Sequence, residues 1–298
     1  MKRILTNTRF LLALLILLWG TSWPIYKVAI PFIPPLLFAA LRALIGGMLL
    51  TLVIWRRYKT IHWRAHWYKY TISALFNAVL FFALQTIGLH YLPGGLFSVL
   101  VYCQPIVLSI FAWYFLNEHL SFVKLLGLVL GFIGIIVASM EGVTTHFSII
   151  GITLALLTGI AWAYGVLYVK KISGEVDGYW IVAMQNVIGG IILMFGSLLF
   201  EDWTTVVWNT SLISAVAYGT TLGVPAAFLI YYSLIHKGEA SKVSAATFLV
   251  PIVSVVISVI FLKEALTVKL FIGMILVGLS IYLVNRQPKT ATKSLKSA

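Results

Sequence analysis

The polypeptide alternates between long uninterrupted apolar runs and short polar breaks. Each run approaches the roughly 20 residues that a helix needs to cross the hydrocarbon of a bilayer. A spanning helix is a stable solution there because it satisfies its own peptide groups where no water can. Composition agrees: 61% of the 298 residues are hydrophobic and only 10% are charged, against roughly 25% charged in ordinary globular domains. A soluble domain could not hide that much apolar surface, and mean hydropathy is +1.03. The expected fold class is therefore all-α integral membrane. Ten transmembrane helices are predicted, over 9–29, 35–55, 67–89, 94–116, 121–140, 148–170, 178–200, 209–235, 239–262 and 266–285. Lys2 and Arg3 before the first run imitate a secretory leader, but the run continues past Trp19 with no small-residue cleavage site. It reads as a retained first helix.

The net charge of +13 invites a nucleic-acid reading. The placement of the charge argues against one. Lys and Arg cluster in the breaks between apolar runs, without the aromatic interleaving of a base-stacking surface. With the N-terminus inside, one face receives Lys2, Arg3, Arg9, Arg56, Arg57, Lys59, Arg64, Lys69, Lys124, Lys170, Lys171, Lys237, Lys242 and Arg286, plus the lysines of the tail. The other face receives Lys263 and Lys269. Such a split places both termini in the cytoplasm and makes the helix number even. The basic tail, 287–298, is expected to lie against anionic lipid.

The second half repeats the first. At an offset of 146 residues, Gln104-Pro105-Ile106-Val107 meets Val250-Pro251-Ile252-Val253. At the same offset Phe115-Leu116-Asn117-Glu118-His119-Leu120-Ser121 meets Phe261-Leu262-Lys263-Glu264-Ala265-Leu266-Thr267, Gly127 meets Gly273, and His90 meets His236. An offset of 143 places Trp19 on Trp162 and Lys27 on Lys170. Two five-helix units, 1–145 and 146–286, follow. An odd helix number sends the two units across the membrane in opposite senses, an inverted repeat of the kind secondary transporters use for alternating access.

A Trp-Gly pair midway along the first helix with Lys27 near its end, Arg42 early in the second, and a proline in the fourth and ninth followed by Phe-Leu-x-Glu-x-Leu-Ser/Thr form a set. In this set the chain resembles the EamA-type family of the drug/metabolite transporter superfamily, over about residues 9–286. The resemblance implies a basket of helices around a central cavity, lined mainly by helices 1, 3, 4, 6, 8 and 9. It also implies a bacterial plasma-membrane protein that exports amino acids, related metabolites or drugs. A lipid flippase and an intramembrane enzyme are the alternatives. The enzyme reading is weakened by the acidic residues, all of which fall at helix ends or in breaks.

Arg42 is the sharpest candidate for substrate contact. An ionisable group inside a membrane helix is costly unless paired or hydrated. Its alternatives are a cation for a substrate carboxylate, or a guanidinium that snorkels outward or bonds helix-end carbonyls. Trp23, Gln85, Tyr102, Gln104, Trp162 and Tyr231 are expected to line the cavity with it, from a wider polar and aromatic set that includes Ser22 and Asn77. Amides in hydrocarbon need partners, and aromatic faces suit amphipathic compounds better than bare inorganic ions. Pro105 and Pro251 are expected hinges, since each removes a backbone donor at a matched place in the two units. Glu118 and Glu264 are expected to staple the turns before Ser121 and Thr267, themselves expected N-caps. No His pair has metal-ligand spacing and no phosphate loop is present, so neither metal nor cofactor is expected. The expected partners are a small-molecule substrate and membrane lipid, with monomer and homodimer both open.

Overall fold

Local signals start and stop the helices. The computed structural model describes residues 8–116, 121–139, 148–236, 247, 249–263 and 266–285, and among them there is no strand. In chain order the α-helices are α1 (Thr8–Ala29), α2 (Pro35–Ile54), α3 (Trp63–Ala74), α4 (Phe81–Tyr91), α5 (Gly94–Val101), α6 (Gln104–Leu116) and α7 (Phe122–Ser139). They continue as α8 (Ile149–Ile172), α9 (Gly178–Phe200), α10 (Thr210–Tyr218), α11 (Ala227–His236), α12 (Leu249–Leu262) and α13 (Val268–Asn285). Pro35 opens α2, where its missing N–H is no loss. Ser148, Asp177 and Asn209 cap α8, α9 and α10 by accepting from Gly151, Tyr179 and Leu212 backbone N–H groups. Ser121 and Thr267 accept from Lys124 and Leu270 N–H, each at 3.3 Å, as their positions predict. Glu118, Glu264 and the basic tail lie outside the described residues.

Among the described residues seven helical stretches are long and apolar enough to cross a membrane: Thr8–Phe32, Pro35–Thr60, Trp63–Tyr91, Gly94–Phe115, Ile149–Ile172, Gly178–Phe200 and Thr210–Tyr231. Shorter apolar helices cover Phe122–Gly134, Leu249–Leu262 and Val268–Ser280. Their outward sides are apolar too. Leu199 is 76% exposed and Phe261 75%, and Phe122, Phe132, Phe195 and Ile260 are also exposed. Water would not tolerate so wide an apolar surface on a monomer, whereas lipid matches it. Exposed Trp55, Tyr58, Trp63, Trp67 and Tyr68 gather beside Arg56, Arg57, Lys59 and Arg64 at one end, the arrangement of an aromatic belt at a membrane interface.

Two sets of polar contacts tie the helix ends together on opposite faces. On the first, Arg57 pairs with Asp177 at 2.8 Å, Thr60 donates to the same carboxylate, and the Trp180 indole donates to the Arg57 carbonyl. Lys69, which the sequence groups with the loop charges, is instead buried and pairs with Glu175. On the second face the Glu201 carboxylate accepts from the N–H groups of Leu36 (2.7 Å) and Leu37 (2.9 Å) and from Ser197 Oγ (2.7 Å). Val207 N–H there donates to the Phe32 carbonyl.

The Lys69 contact has a pH signature. The hydrogen bond and charge of Lys69 hold the Glu175 carboxyl below its ordinary value of 4.5. A lowered native pKa contributes stability that is full above the unfolded value and fades as pH falls through the native one. Purified wild-type protein should therefore melt above Glu175→Gln at pH 7. The two melting temperatures should converge as pH falls below 4.5 and through the lowered native value. A gap that stays constant from pH 7 to pH 3 would mean the carboxylate charge contributes nothing.

Candidate functional site

Two helices lose their regular winding at the centre of the molecule. A π-helical turn, Leu75–Leu80, joins α3 to α4, and a second, Gly219–Ala226, joins α10 to α11. A π turn widens the helix by one residue and redirects side chains, and such turns recur at functional sites. Asn77 projects from the first turn and rests against Gly165 of α8, where a Cβ would collide with its amide. In the second turn, a Cβ at Gly219 would lie 2.7 Å from Arg42 Cγ and Cδ, and one at Gly223 would strike the Tyr26 hydroxyl. Glycine is needed at both places so that Arg42 and Tyr26 can lie along the backbone.

Between the two turns lies a central cavity of about 50 Å³. Its wall comprises Trp19, Ser22, Trp23 and Tyr26 of α1, Arg42 of α2, Asn77, Phe81, Phe82, Gln85, Tyr102, Trp162, Gly223, Val224 and Phe228. Arg42 forms the polar end. It is 1% exposed, and its Nη2 donates to Gln85 Oε1 at 3.0 Å. Its guanidinium carbon stands 4.0 Å from the Tyr26 ring centroid and 4.9 Å from those of Phe38 and Phe82. Those ring faces attract a cation and offset part of its desolvation. Its Nε has no hydrogen-bond partner among the described residues. Both expected alternatives for a purely structural arginine, outward snorkelling and capping of helix-end carbonyls, are absent from this geometry.

The opposite end is aromatic. Trp19 meets Trp162 edge-on at 6.2 Å, Phe228 at 5.7 Å and Tyr231 at 5.3 Å. Trp162 in turn meets Phe81 at 5.5 Å and Tyr102 at 5.7 Å. Below the cavity, Asn77 donates to Ser73 Oγ at 3.3 Å, and Ser73 donates to Gln185 Oε1 at 2.6 Å. Among the described residues the cavity wall contains no carboxylate, imidazole or thiol. The Ser22 hydroxyl is turned back onto the Trp19 carbonyl.

Of the residues singled out from sequence, Trp23, Arg42, Gln85, Tyr102 and Trp162 converge on this wall. Gln104 is buried but stands outside the wall, and Tyr231, outside it as well, packs against the wall residue Trp19. Helix α2 supplies a wall residue that the expected set of lining helices omits; of the expected ninth helix, α12 supplies none, and residues 239–246 lie outside the described residues. Trp19, Tyr26 and Phe228 escape the sequence reading, because an aromatic within an apolar run carries no local mark of facing a cavity. The repeat offers one route to Trp19, as the mate of Trp162. Pro105 and Pro251 stand in the first turns of α6 and α12, so neither kinks the middle of a regular helix segment. The interruption before Pro105 falls at Tyr102 and Cys103, between α5 and α6.

The sequence profile of the EamA-like transporter family matches the chain twice, over residues 8–140 and 149–286. The chain belongs to the EamA-like transporter family. A relative within reach of this EamA-like protein is YvbV of Bacillus subtilis (strain 168), named an uncharacterized transporter. It is 42% identical over 284 residues, covering 95% of this chain and 93% of the relative. A protein of Salmonella typhimurium named a probable amino-acid metabolite efflux pump is 28% identical over 292 residues, covering 92% and 93%. A solved crystal structure shares the fold with a TM-score of 0.68 at 18% identity, covering 93% of this chain and 95% of that one.

Proposed function

We propose that this membrane protein is a secondary carrier that exports small amphipathic metabolites, amino acids or related compounds and drugs among them, by alternating access. In this reading ten helices form two inverted five-helix repeats in the bacterial plasma membrane, with both termini cytoplasmic. The observation that carries the reading is the way contacts exchange between the two halves around a narrow central cavity. α1 packs on α12 as its mate α8 packs on α6. α2 packs on the second π turn as its mate α9 packs on α3 and the first π turn. α2 against α9, and α7 against α13, are pairs of mates. The correspondence reaches single residues: Arg42 lies on Gly219, while Gln185, 143 residues beyond Arg42, bonds Ser73, 146 residues before Gly219. The directions are opposed as well. α1 ends beside α2 on the Glu201 face, whereas α8 starts against Tyr91 and Leu92 and ends next to the Lys69–Glu175 pair.

Interchangeable halves suit a device with two mirror-related states. The cavity supports this. At about 50 Å³ it holds a few waters, far below the roughly 300–1,000 Å³ of ligand pockets. A metabolite therefore requires helices to separate on one face while the contacts of the other stay closed. Among the described residues the cavity wall carries no acidic residue to serve as a proton relay, and the proposed driving force is the substrate gradient, by uniport or exchange. The relative named as an amino-acid metabolite efflux pump supports cargo of that size.

Protein reconstituted in vesicles and loaded with a panel of labelled amino acids, organic acids and dyes should release some members saturably down their gradients. Release that tracks an imposed pH gradient at zero membrane potential would overturn the uncoupled mechanism. Lipid scrambling with no solute flux would overturn the metabolite carrier altogether.

A further inference from the structure

We infer that the cavity is built for an organic monoanion with an apolar body, and that it discriminates against a free α-ammonium group. This inference rests on the reading of the cavity as the substrate site, and it narrows the proposed cargo from amino acids themselves to related organic acids that lack the ammonium. Arg42 is the only charged side chain in the wall among the described residues. It is buried with its Nε unpartnered among the described residues, and Gln85 occupies one of its remaining donors. Neither of the ion pairs among the described residues, Arg57–Asp177 and Lys69–Glu175, involves it. A buried cation held by ring faces, the Tyr26 side chain and one amide lacks, among the described residues, the counter-charge that normally accompanies burial. A ligand carboxylate supplies that charge and accepts in the planar, forked geometry that guanidinium favours.

The rest of the wall limits what else the ligand can carry. Beyond Arg42 most of the wall is apolar, with the rings of Trp19, Phe81, Tyr102, Trp162 and Phe228 to take an apolar body, while Ser22 is turned onto the Trp19 carbonyl and Asn77 donates to Ser73. An α-ammonium is covalently tied within a few ångströms of its carboxylate. It would be held next to the guanidinium, in a low-dielectric cavity, with no carboxylate among the described wall residues to receive it. The nearest amide oxygen, Gln85 Oε1, already accepts from Arg42. The wall thus rewards the anion and penalises the ammonium of the same molecule.

Three probes that share one body separate these terms: 3-phenylpropionate (anion), phenylalanine (zwitterion) and phenethylamine (cation). Each is titrated into detergent-purified full-length protein, with Trp19, Trp23 and Trp162 fluorescence and thermal shift as readouts. The expected order is phenylpropionate first, at least about tenfold tighter than phenylalanine, with phenethylamine weakest. Arg42→Gln should weaken phenylpropionate by about tenfold or more and erase the preference. Gln85→Glu is the second variant, because it keeps a partner on Arg42 and so protects folding while it neutralises the site; it too should lose the anion. Phenylalanine binding as tightly as phenylpropionate, absence of phenylpropionate binding, or either variant binding it unchanged would overturn the inference. Because binding is read without flux, the two readings fail separately. Preferential anion binding without release from vesicles defeats the carrier and leaves the inference standing; flux without charge preference does the reverse.

Discussion

Leucine in place of Gly190 is expected to prevent the protein from folding. α2 and α9 lie along one another through glycine on both sides. A Cβ at Gly190 would stand 2.5 Å from the Leu44 nitrogen and 2.6 Å from its Cα, and one at Gly47 would stand 2.7 Å from the Val187 nitrogen. These neighbours are backbone atoms, which no rotamer change can move aside. Within a membrane, helices gain little from apolar burial against each other, since lipid is equally apolar, and close backbone approach supplies the attraction instead. Separating the two helices forfeits that packing over their whole length, and the loss should exceed the roughly 3 kcal/mol at the upper end of ordinary overpacking. The same seam holds Arg42 against the second π turn, so the cavity should be lost with it. Gly278→Leu is the matched control. It is also within a helix, α13, but a Cβ there meets nothing within 4 Å. Size-exclusion profiles and melting curves of the two variants should therefore diverge: a collapsed or absent peak for Gly190→Leu and a wild-type one for Gly278→Leu. Equal behaviour would remove the seam from any account of stability.

The second large effect belongs to Glu201→Ala. The first turn of α2 has Pro34 as its capping residue, with no side-chain acceptor of its own. Glu201, arriving from the end of α9, accepts the orphan N–H groups of Leu36 and Leu37, and Ser197 and Trp203 complete the cluster. A carboxylate at a helix N-terminus gains from both the hydrogen bonds and the helix dipole. Its removal should lower unfolding stability by about 2–4 kcal/mol. The loss should be local as well as global. Hydrogen exchange in a peptide covering residues 30–40 should accelerate, while the Arg57–Asp177 face keeps its protection. In a carrier with two alternating closures, loosening one face favours opening on that side. Glu201→Gln should fall between the two, because the amide retains one acceptor oxygen. Unchanged melting and unchanged exchange in Glu201→Ala would mean that this cluster closes nothing.

Much of the helical plan is readable residue by residue. Pro35, Ser148, Asp177 and Asn209 mark helix starts through their own backbone or side-chain chemistry, and the structure uses each of them so. Ser121 and Thr267 are equally legible. Arg42 and Gln85 are conspicuous because strongly polar groups in an apolar run demand partners, and they prove to be each other's partner. Lys69 misleads by the same logic. Its charge reads as a loop signal, while Glu175, 106 residues away, lets it be buried. The π turns have no sequence mark that distinguishes them from regular helix. They depend on what lies opposite: Gly165 beneath Asn77, and Tyr26 and Arg42 against Gly223 and Gly219.

Membrane residence and the positions of the long apolar helices are properties of order along the chain, since run length, proline, capping residues and loop charge act over a few neighbouring residues. The repeated motifs belong to the same class. Convergence is different. That Trp19, Tyr26, Arg42, Gln85, Trp162 and Phe228 share one cavity depends on helices far apart in sequence crossing at glycine contacts. No local rule specifies which side of an all-apolar helix faces inward, because lipid and protein interior select the same side chains. Only the packed helices decide it.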